Sequence, residues 1–182
     1  MKVVKTNIPD VILLRPEVYE DPRGIFMETY REAAFREQGI LPVFVQDNLV
    51  HSRRKVFRGL HFQLPPFAQA KLITLISGEI LDIALDLRRD SKTFLQQVQI
   101  TLSAKDHDQL YIPAGFAHGY WVLSSEALIA YKVSVPYAPD HQAGIRWDDP
   151  QLGLGEIVRE PLLSAQDRKL PSLNEILSND RF

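Results

Sequence analysis

The 182-residue sequence contains no cysteine, which excludes disulfide bonds, thiolate metal ligands and a cysteine nucleophile. Its first residues, "MKVVKTNIPDVILLRPEVYED", contain no apolar stretch long enough for a signal peptide or a membrane span. A chain without disulfides fits a reducing compartment. These absences predict a cytoplasmic protein with no membrane partner.

The excess of negative over positive charge is small, since the formal net charge is only −2 at pH 7. Such a balance gives no general attraction for nucleic acid, so we predict no nucleic-acid partner. An anionic ligand would have to be bound by local basic residues. Repeats and low-complexity segments are missing as well, and the length is typical of one domain. We therefore predict a single domain over residues 1–182, with a core at about 40–150 and a C-terminal appendage at about 151–182.

Short runs of alternating apolar and polar residues are the main pattern that is present. In "EILDIALDL" (79–87) and "QVQITL" (97–102), every second residue is apolar, which is typical of half-buried strands. Further strand candidates span 41–50, 58–63, 70–77, 108–113, 119–124 and 127–135. Helical signals are limited to residues 31–39 and 172–179. Many short strands predict an all-β sandwich, jelly roll or barrel.

Three strand candidates carry residues suited to proton transfer. They are "FRGLHFQLPPFAQAKL" (57–72), "YIPAGFAHGYWVL" (111–123) and "AYKVS" (130–134). In one barrel their inward side chains would share a cavity, because alternate residues face the interior. Arg58 lies three residues from His61, so on a regular strand it faces the other way. It reaches the same cavity only if the strand contains a bulge.

The spacing P-x-G-x-x-H in "PAGFAH" (113–118) resembles the second motif of the cupin superfamily. The first cupin motif normally contributes H-x-H and a glutamate to a metal. Here that place holds His61, Phe62 and Gln63, and the glutamate is missing. Two histidines and a glutamine form a poor transition-metal site, so we predict no metal and no cofactor.

A closer resemblance extends along most of the chain. The segments "DPRGIFMETY", "FVQDN", "FRGLHFQ", "AQAKL", "GEILDIALDLRRDSKTF", "IPAGFAHG", "YKVSVPYAP", "GIRWDDP" and "LSAQD" occur here in the family order of the dTDP-4-dehydrorhamnose 3,5-epimerases. The resemblance implies a cupin-type jelly roll (double-stranded β-helix) with a few short peripheral helices. It also implies a homodimer that exchanges strands, and an isomerase that uses a dTDP-linked 4-keto-6-deoxyhexose without a cofactor.

The same resemblance implies the catalytic roles. His61 would be the base that removes a hydrogen next to the ketone, with Asp167 as its partner. Lys71, together with Arg58, would stabilise the negative charge on the ketone oxygen. Tyr131 would return a proton from the opposite face of the sugar.

Substrate-binding residues are also implied by resemblance. The residues expected at the diphosphate, the nucleotide and the pocket wall are Arg23, Glu28, Gln46, Asn48, Arg58, His118 and Tyr137. Arg23 would come from the second subunit. Arginine suits a phosphate because its guanidinium presents a fork of donors.

Alternative interpretations stay open for the individual residues. Tyr131 could be a core aromatic residue, Asp167 an N-cap, and Gln46 and Asn48 a solvated strand end. The chain departs from the usual family pattern at Leu49, Val50, Ala70, Thr74, Tyr120 and Trp121. Three other functions therefore remain: epimerisation of carbon 3 or carbon 5 alone, sugar-nucleotide binding without turnover, and a metal-dependent cupin reaction.

Overall fold

The computed structural model describes residues 1–178, and its regular structure is almost entirely β. The strands are β1 (Lys2–Lys5), β2 (Ile12–Arg15), β3 (Val18–Asp21), β4 (Gly24–Met27), β5 (Gln46–Arg53), β6 (Phe57–Gln63), β7 (Lys71–Ser77), β8 (Glu79–Asp86), β9 (Gln97–Ser103), β10 (Gln109–Ile112), β11 (Phe116–Val122), β12 (Glu126–Val133) and β13 (Gln142–Gly144). Two short α-helices, α1 (Glu32–Glu37) and α2 (Leu173–Leu177), accompany them. One-turn 3-10 helices occur at Pro139–His141, Pro150–Leu152, Leu154–Glu156 and Asp167–Lys169.

Two antiparallel sheets form the jelly roll. One has the order β1-β2-β10-β7-β12-β5, and the other has the order β13-β6-β11-β8-β9. Strands β3 and β4 form a separate two-stranded hairpin. Consecutive strands often lie in different sheets, as β7 and β8 do, which is why neighbours within a sheet are distant in sequence. The predicted all-β cupin fold is confirmed.

The central core lies between the two sheets and consists of the inward side chains of both. The six-stranded sheet contributes Ile73, Leu75 and Ile129, and the five-stranded sheet contributes Ile80 and Phe116. Ile73 and Leu75 are alternate residues of β7, as expected for one face of a strand. The half-buried strand predicted for 79–87 is wrong, because β8 is buried on both faces. Each core side chain contributes roughly 1.5–3 kcal/mol when it is removed from water.

The outer faces of the sheets are covered by different parts of the chain. Helix α1 and the turn after it place Phe35 and Ile40 against Leu72 and Tyr111 of the six-stranded sheet. The outer face of the five-stranded sheet is covered by the C-terminal segment, whose buried residues are Leu152, Leu154, Val158, Leu173 and Ile176. The single domain and its C-terminal appendage stay predictions.

Several predicted boundaries differ from the structure. The strand expected at 41–50 begins at Gln46, and the one expected at 119–124 begins at Phe116. Helix α2 starts at the predicted N-cap Ser172, where a capping box with Glu175 is formed. The last predicted residue of this helix, Asn179, lies outside the described residues. No helix within residues 1–178 is long and apolar enough to cross a membrane.

Candidate active site

A cavity of about 280 Å³ lies between the sheets, beside the central core. Its lining residues come from β5, β6, β7, β11, β12 and the C-terminal segment: Val50, Arg58, His61, Lys71, Ile73, His118, Tyr120, Ile129, Tyr131, Ser164, Gln166 and Asp167. All four residues predicted to be catalytic are in this set. Among these four, His61 and Asp167 are the furthest apart in the sequence, separated by 106 positions.

Strand register explains how the six-stranded sheet supplies its part of the wall. Tyr131 of β12 lies opposite Asn48 of β5 on one side and opposite Ile73 of β7 on the other. Lys71 lies opposite Val133 in the same ladder. Directly opposed residues of antiparallel strands point to the same face. The inward position of Tyr131, predicted from strand alternation, is confirmed.

The five-stranded sheet contributes His61 and Arg58 through an irregular stretch of β6. His61 pairs with His118 and Arg58 pairs with Tyr120, so two residues of β6 oppose the single residue Gly119 of β11. This β-bulge turns Arg58 to the same face as His61, as the sequence required. Gly59 has a φ of +122° at this point, and a Cβ there would be 2.5 Å from the Gly119 Cα. Only glycine allows the two strands to approach so closely.

His61 and Asp167 form a hydrogen-bonded pair across the end of the cavity. The His61 Nε2 atom is 2.5 Å from the Asp167 Oδ1 atom, and the carboxylate is almost fully buried. Burial alone would raise the pKa of Asp167, but the hydrogen bond and charge of His61, together with the Ser164 hydroxyl, lower it below its usual value. Asp167 is thus an anion at neutral pH. Within residues 1–178 no partner contacts Nδ1 of His61, which leaves that atom available to a ligand.

The position of Asp167 is set by local contacts of the C-terminal segment. Leu162 pairs with Val56 in an isolated parallel bridge next to β6. Two residues later the Ser164 hydroxyl accepts a hydrogen bond from the Asp167 backbone N–H at 3.0 Å. The segment is therefore fixed next to β6, which carries His61. The N-cap alternative for Asp167 is wrong, because Asp167 is the first residue of its 3-10 helix and Gln166 is the N-cap.

Lys71 is a cation in an unfavourable environment. Burial lowers the pKa of Lys71 to about 8, although the negative charge of Asp82 acts in the opposite direction. Its Nζ atom donates a hydrogen bond to the His61 backbone carbonyl at 3.4 Å. Lys71 is therefore mostly protonated at neutral pH, with an ammonium group beside the base.

A second histidine–aspartate pair lies next to the first. The His118 Nε2 atom is 3.1 and 3.0 Å from the two carboxylate oxygens of Asp82, which is fully buried. Burial lowers the pKa of His118, while the charge and hydrogen bond of Asp82 oppose this shift. The sequence interpretation missed Asp82. The available signal was its place in the alternating run 79–87, where an aspartate shares the inward face with Ile80 and Ala84.

Two tyrosines face the cavity, of which one was expected. Burial raises the pKa of Tyr131 above its ordinary value near 10, against a smaller opposite effect of the Arg58 charge, so the phenol is protonated at neutral pH. Burial also raises the pKa of Tyr120. The Tyr120 hydroxyl is 2.9 Å from Ser52 Oγ, which accepts a hydrogen bond from Arg58 Nε at 3.1 Å. Tyr120 and Ser52 were not predicted as site residues.

Three of the predicted nucleotide-binding residues contact one another beside β12. The Gln46 side chain donates to Asn48 Oδ1 at 2.9 Å and accepts from the Tyr137 backbone N–H at 3.1 Å. The Tyr137 hydroxyl donates to the side chain of Gln142. Asn48 lies opposite Tyr131, so this group is adjacent to the cavity.

Arg23 and Glu28 are not brought to the cavity of their own chain. Arg23 lies at the tip of the β3–β4 hairpin, where its side chain is 90% exposed and paired with Asp21. Glu28 follows the hairpin and pairs with Arg31 at 3.0 Å. The hairpin is not hydrogen-bonded to either large sheet, which explains why its residues lie apart from the cavity.

The donor set in the cavity does not fit a metal ion. Within residues 1–178 no group of three histidine, aspartate or glutamate side chains is placed to hold one. His61 and His118 are each engaged by an aspartate. Gln63, at the third cupin ligand position, instead donates to the Phe67 carbonyl and accepts from the Ala138 backbone N–H.

Known proteins with similar sequences are named as sugar-nucleotide epimerases. A family model described as dTDP-4-dehydrorhamnose 3,5-epimerase matches residues 5–175. The dTDP-4-dehydrorhamnose 3,5-epimerase of Pseudomonas aeruginosa is 48% identical over 171 residues, which cover 93% of this chain and 94% of that protein.

Two crystal structures extend the comparison to bound ligands. The dTDP-4-dehydrorhamnose 3,5-epimerase of Bacillus anthracis, with TDP and PPi bound, has a TM-score of 0.91 and 44% identity over 94% of this chain and 99% of its own. The dTDP-6-deoxy-D-glucose-3,5-epimerase of Legionella pneumophila, in complex with dTDP-4-keto-L-rhamnose, has a TM-score of 0.91 and 39% identity over 96% and 94%. This chain is an isomerase that belongs to the dTDP-4-dehydrorhamnose 3,5-epimerase family.

Proposed function

We propose that the chain epimerises carbons 3 and 5 of a dTDP-linked 4-keto-6-deoxyhexose. The observation that carries this proposal is the cavity in which the His61–Asp167 pair, the Lys71 ammonium and the Tyr131 phenol lie together. Similar proteins are named for this reaction, and one of them binds dTDP-4-keto-L-rhamnose. A binding protein without turnover would have no use for a base, a buried cation and an acid in one cavity.

The base in the proposed reaction is His61. The ketone at carbon 4 acidifies the hydrogens on carbons 3 and 5, and His61 removes one of them through its available Nδ1 atom. The proton makes the imidazole a cation, which the Asp167 carboxylate stabilises at 2.5 Å. The same hydrogen bond at Nε2 fixes the tautomer in which Nδ1 carries the lone pair.

Lys71 stabilises the enolate that results from deprotonation. The ketone oxygen becomes negative, and a cation in a site shielded from water stabilises such a charge more strongly than water does. The raising effect of Asp82 on the pKa of Lys71 keeps this side chain protonated despite its burial. Arg58 adds a second positive charge to the same cavity.

Tyr131 returns a proton to the carbon that was deprotonated. Inversion requires removal from one face of the ring and return to the other, so the acid must differ from the base. Tyr131 belongs to the six-stranded sheet and His61 belongs to the five-stranded sheet. A substrate held between the sheets would therefore have the two groups on opposite sides.

A second subunit completes the nucleotide site in this proposal. Arg58, Gln46, Asn48 and Tyr137 bind the nucleotide from within one chain. Arg23 and Glu28 come from the partner of a homodimer, because they lie away from the cavity of their own chain. His118 contributes to the wall of the sugar pocket.

Exposed apolar side chains support the homodimer. Phe26 on the hairpin is 69% exposed, and Leu49 on the edge strand β5 is 67% exposed. Large apolar side chains on a hairpin and an edge strand are typical of surfaces that pair with another chain. We therefore propose that the hairpin packs on the partner and delivers Arg23 to its cavity.

Subunit complementation tests the shared site. Arg23→Met and His61→Asn homodimers would each be nearly inactive, and unfolding and refolding them together forms mixed dimers. One cavity of a mixed dimer then combines an intact His61 with the partner subunit's Arg23, so activity should return. Light scattering verifies the dimers, and mixed dimers without recovered activity would contradict the shared site.

The reaction itself is tested by isotope incorporation. The protein is incubated with dTDP-4-keto-6-deoxyglucose in deuterated water, and deuterium is located by NMR. Label and inversion at both carbons are expected. Inversion at a single carbon would identify a 3-only or 5-only epimerase, whereas no label at either carbon would indicate a binding protein.

The structural organisation of the chain is part of the proposal. The C-terminal segment carries Asp167, so it completes the catalytic pair as well as covering a sheet. This supports one domain over residues 1–182 rather than a core with a dispensable tail. A cytoplasmic location, expected from the sequence, stays a prediction.

A further inference from the structure

Tyr120 makes a hydrogen bond that connects the two sheets. It lies on β11 of the five-stranded sheet, and only 6% of the residue is exposed. Its hydroxyl is 2.9 Å from Ser52 Oγ on β5 of the six-stranded sheet. Both hydroxyls are buried, and the Tyr120 hydroxyl would be left without a partner if Ser52 were removed.

Ser52 extends this connection to Arg58. Its Oγ atom accepts a hydrogen bond from Arg58 Nε at 3.1 Å. A serine hydroxyl has one hydrogen and two lone pairs, so it can serve Arg58 and Tyr120 together. An arginine bound through Nε keeps both terminal amino groups free to form a fork. Arg58 makes no ion pair with a protein carboxylate within residues 1–178.

We propose that Tyr120 and Ser52 are positioning residues that hold Arg58 in the orientation that binds the diphosphate. The inference rests on the proposed function, in which Arg58 binds this group. Arg58 is exposed at the cavity, so without a fixed Nε its long side chain would sample many rotamers. If the Arg58 side chain is already fixed, it loses less conformational freedom when a ligand binds.

Packing alone does not account for the tyrosine. Phenylalanine would fill the same space between the sheets without a hydroxyl to satisfy. Burial raises the pKa of Tyr120, so the phenol stays protonated and acts as a neutral hydrogen-bonding group at neutral pH. Phenylalanine is therefore the substitution that removes the proposed role and leaves the packing.

Calorimetric titration with dTDP tests the proposal. Tyr120→Phe should weaken dTDP binding about 5-fold, the size expected for loss of one hydrogen bond. In steady-state assays the larger share of the loss should appear in KM rather than kcat. Tyr111→Phe is the matched control: Tyr111 is also 6% exposed but lies under helix α1, and its substitution should not change dTDP affinity.

Double mutants establish whether Tyr120 acts through Arg58. Ser52→Ala and Tyr120→Phe should each weaken binding, and together by no more than about one of them alone. In an Arg58→Met background, Tyr120→Phe should have no further effect. The proposal would be overturned if Tyr120→Phe weakened dTDP binding as much in the Arg58→Met background as in the wild type. It would also be overturned if Tyr120→Phe left the dTDP affinity of the wild type unchanged.

The same measurements separate this inference from the proposed function. Wild-type protein that does not bind dTDP would contradict the proposed function itself. Wild-type binding that Arg58→Met weakens and Tyr120→Phe leaves unchanged would overturn only the positioning role. A Tyr120→Phe protein that binds dTDP normally but fails to invert one carbon would make Tyr120 a proton donor, which also overturns it. Thermal unfolding verifies that each variant is folded.

Discussion

Two histidine–aspartate pairs lie at the same cavity. They consist of the same chemical groups, but a ligand can reach one histidine more easily than the other. His61 with Asp167 and His118 with Asp82 both bond through Nε2, and the two histidines are direct neighbours across β6 and β11. The His61 side chain is 29% exposed, whereas that of His118 is 9% exposed. A base must reach its substrate, so the pair that retains access is the one suited to proton transfer.

The origin of the two aspartates explains the difference. Asp82 belongs to β8, an interior strand of the five-stranded sheet, where its carboxylate is fully buried. Asp167 belongs to the C-terminal segment, which reaches the cavity from its end and leaves one side of His61 open. The buried pair can act on the cavity electrostatically through Lys71, while the accessible pair can act on the substrate.

The largest expected effect is that of His61→Asn, which removes the base but keeps a group of similar size. Hydrogen exchange at both carbons should fall by about 10²–10⁴-fold, the usual contribution of a positioned general base. His118→Asn is the comparison, and hydrogen exchange should fall far less in this variant, by about 10-fold at most. Equal losses in the two variants would contradict the distinction between the pairs. Exchange is measured by NMR in deuterated water, with thermal unfolding as the control for folding.

Tyr131→Phe should separate the two halves of the reaction. The variant lacks the phenolic proton but keeps the ring, so His61 should still form the enolate and exchange hydrogen for deuterium. Completed inversion, most sensitively at carbon 5, should fall about 10²-fold, while exchange falls much less. The ratio of inversion to label is read from the same NMR experiment. Inversion of both centres at wild-type rates would mean that water or another side chain is the acid.

The alkaline side of the pH–rate profile should report Lys71. Its pKa is lowered to about 8 by burial, and its protonated form stabilises the enolate. Activity should therefore be retained from pH 7 to about pH 8 and fall about tenfold per pH unit at higher pH, as the proton is lost. The pKa of Tyr131 is raised above 10, so its ionisation cannot cause a loss that begins near pH 8. A rate that stays constant from pH 7 to pH 10 would exclude Lys71 from the step.

Sequence alternation was sufficient for the all-β class, whereas the resemblance to the family indicated the jelly roll and most of the cavity residues, among them His61, Lys71 and Asp167. Alternation placed Tyr131 inward, and it required the bulge that turns Arg58 to the same face as His61. It could not identify Asp82 or Tyr120, because an inward polar residue on a strand looks like a solvent-facing one until the second sheet is known. Their roles depend on partners 36 and 68 positions away.

The sequence patterns could not predict the hairpin and the first strands, for a different reason. Strands β1 to β4 have four residues each, too few for alternation to be recognised. The resemblance to the family, rather than periodicity, indicated that Arg23 acts away from its own chain. Its exposed place at the hairpin tip agrees with that expectation but does not test it.

The smallest expected effect is a change in pH dependence when the buried pair is altered. Asp82→Asn keeps the shape of the side chain and a hydrogen-bond acceptor for His118, but it removes a negative charge. That charge raises the pKa of Lys71, so its loss should lower the pKa further below about 8. The active form of Lys71 is protonated, and the alkaline fall in activity should therefore move to lower pH, by about 1 unit or less.

Asp86→Asn is the matched control for this shift. Asp86 is also fully buried on β8, but its carboxylate is bound by Arg88, Ser91 and Thr93, away from the cavity. This substitution should lower thermal stability and leave the position of the alkaline fall unchanged. If Asp82→Asn changed only the maximal rate and not its pH dependence, the buried pair would not act through Lys71. The accessible His61–Asp167 pair would keep its role in proton transfer, but the enclosed His118–Asp82 pair would have no electrostatic role.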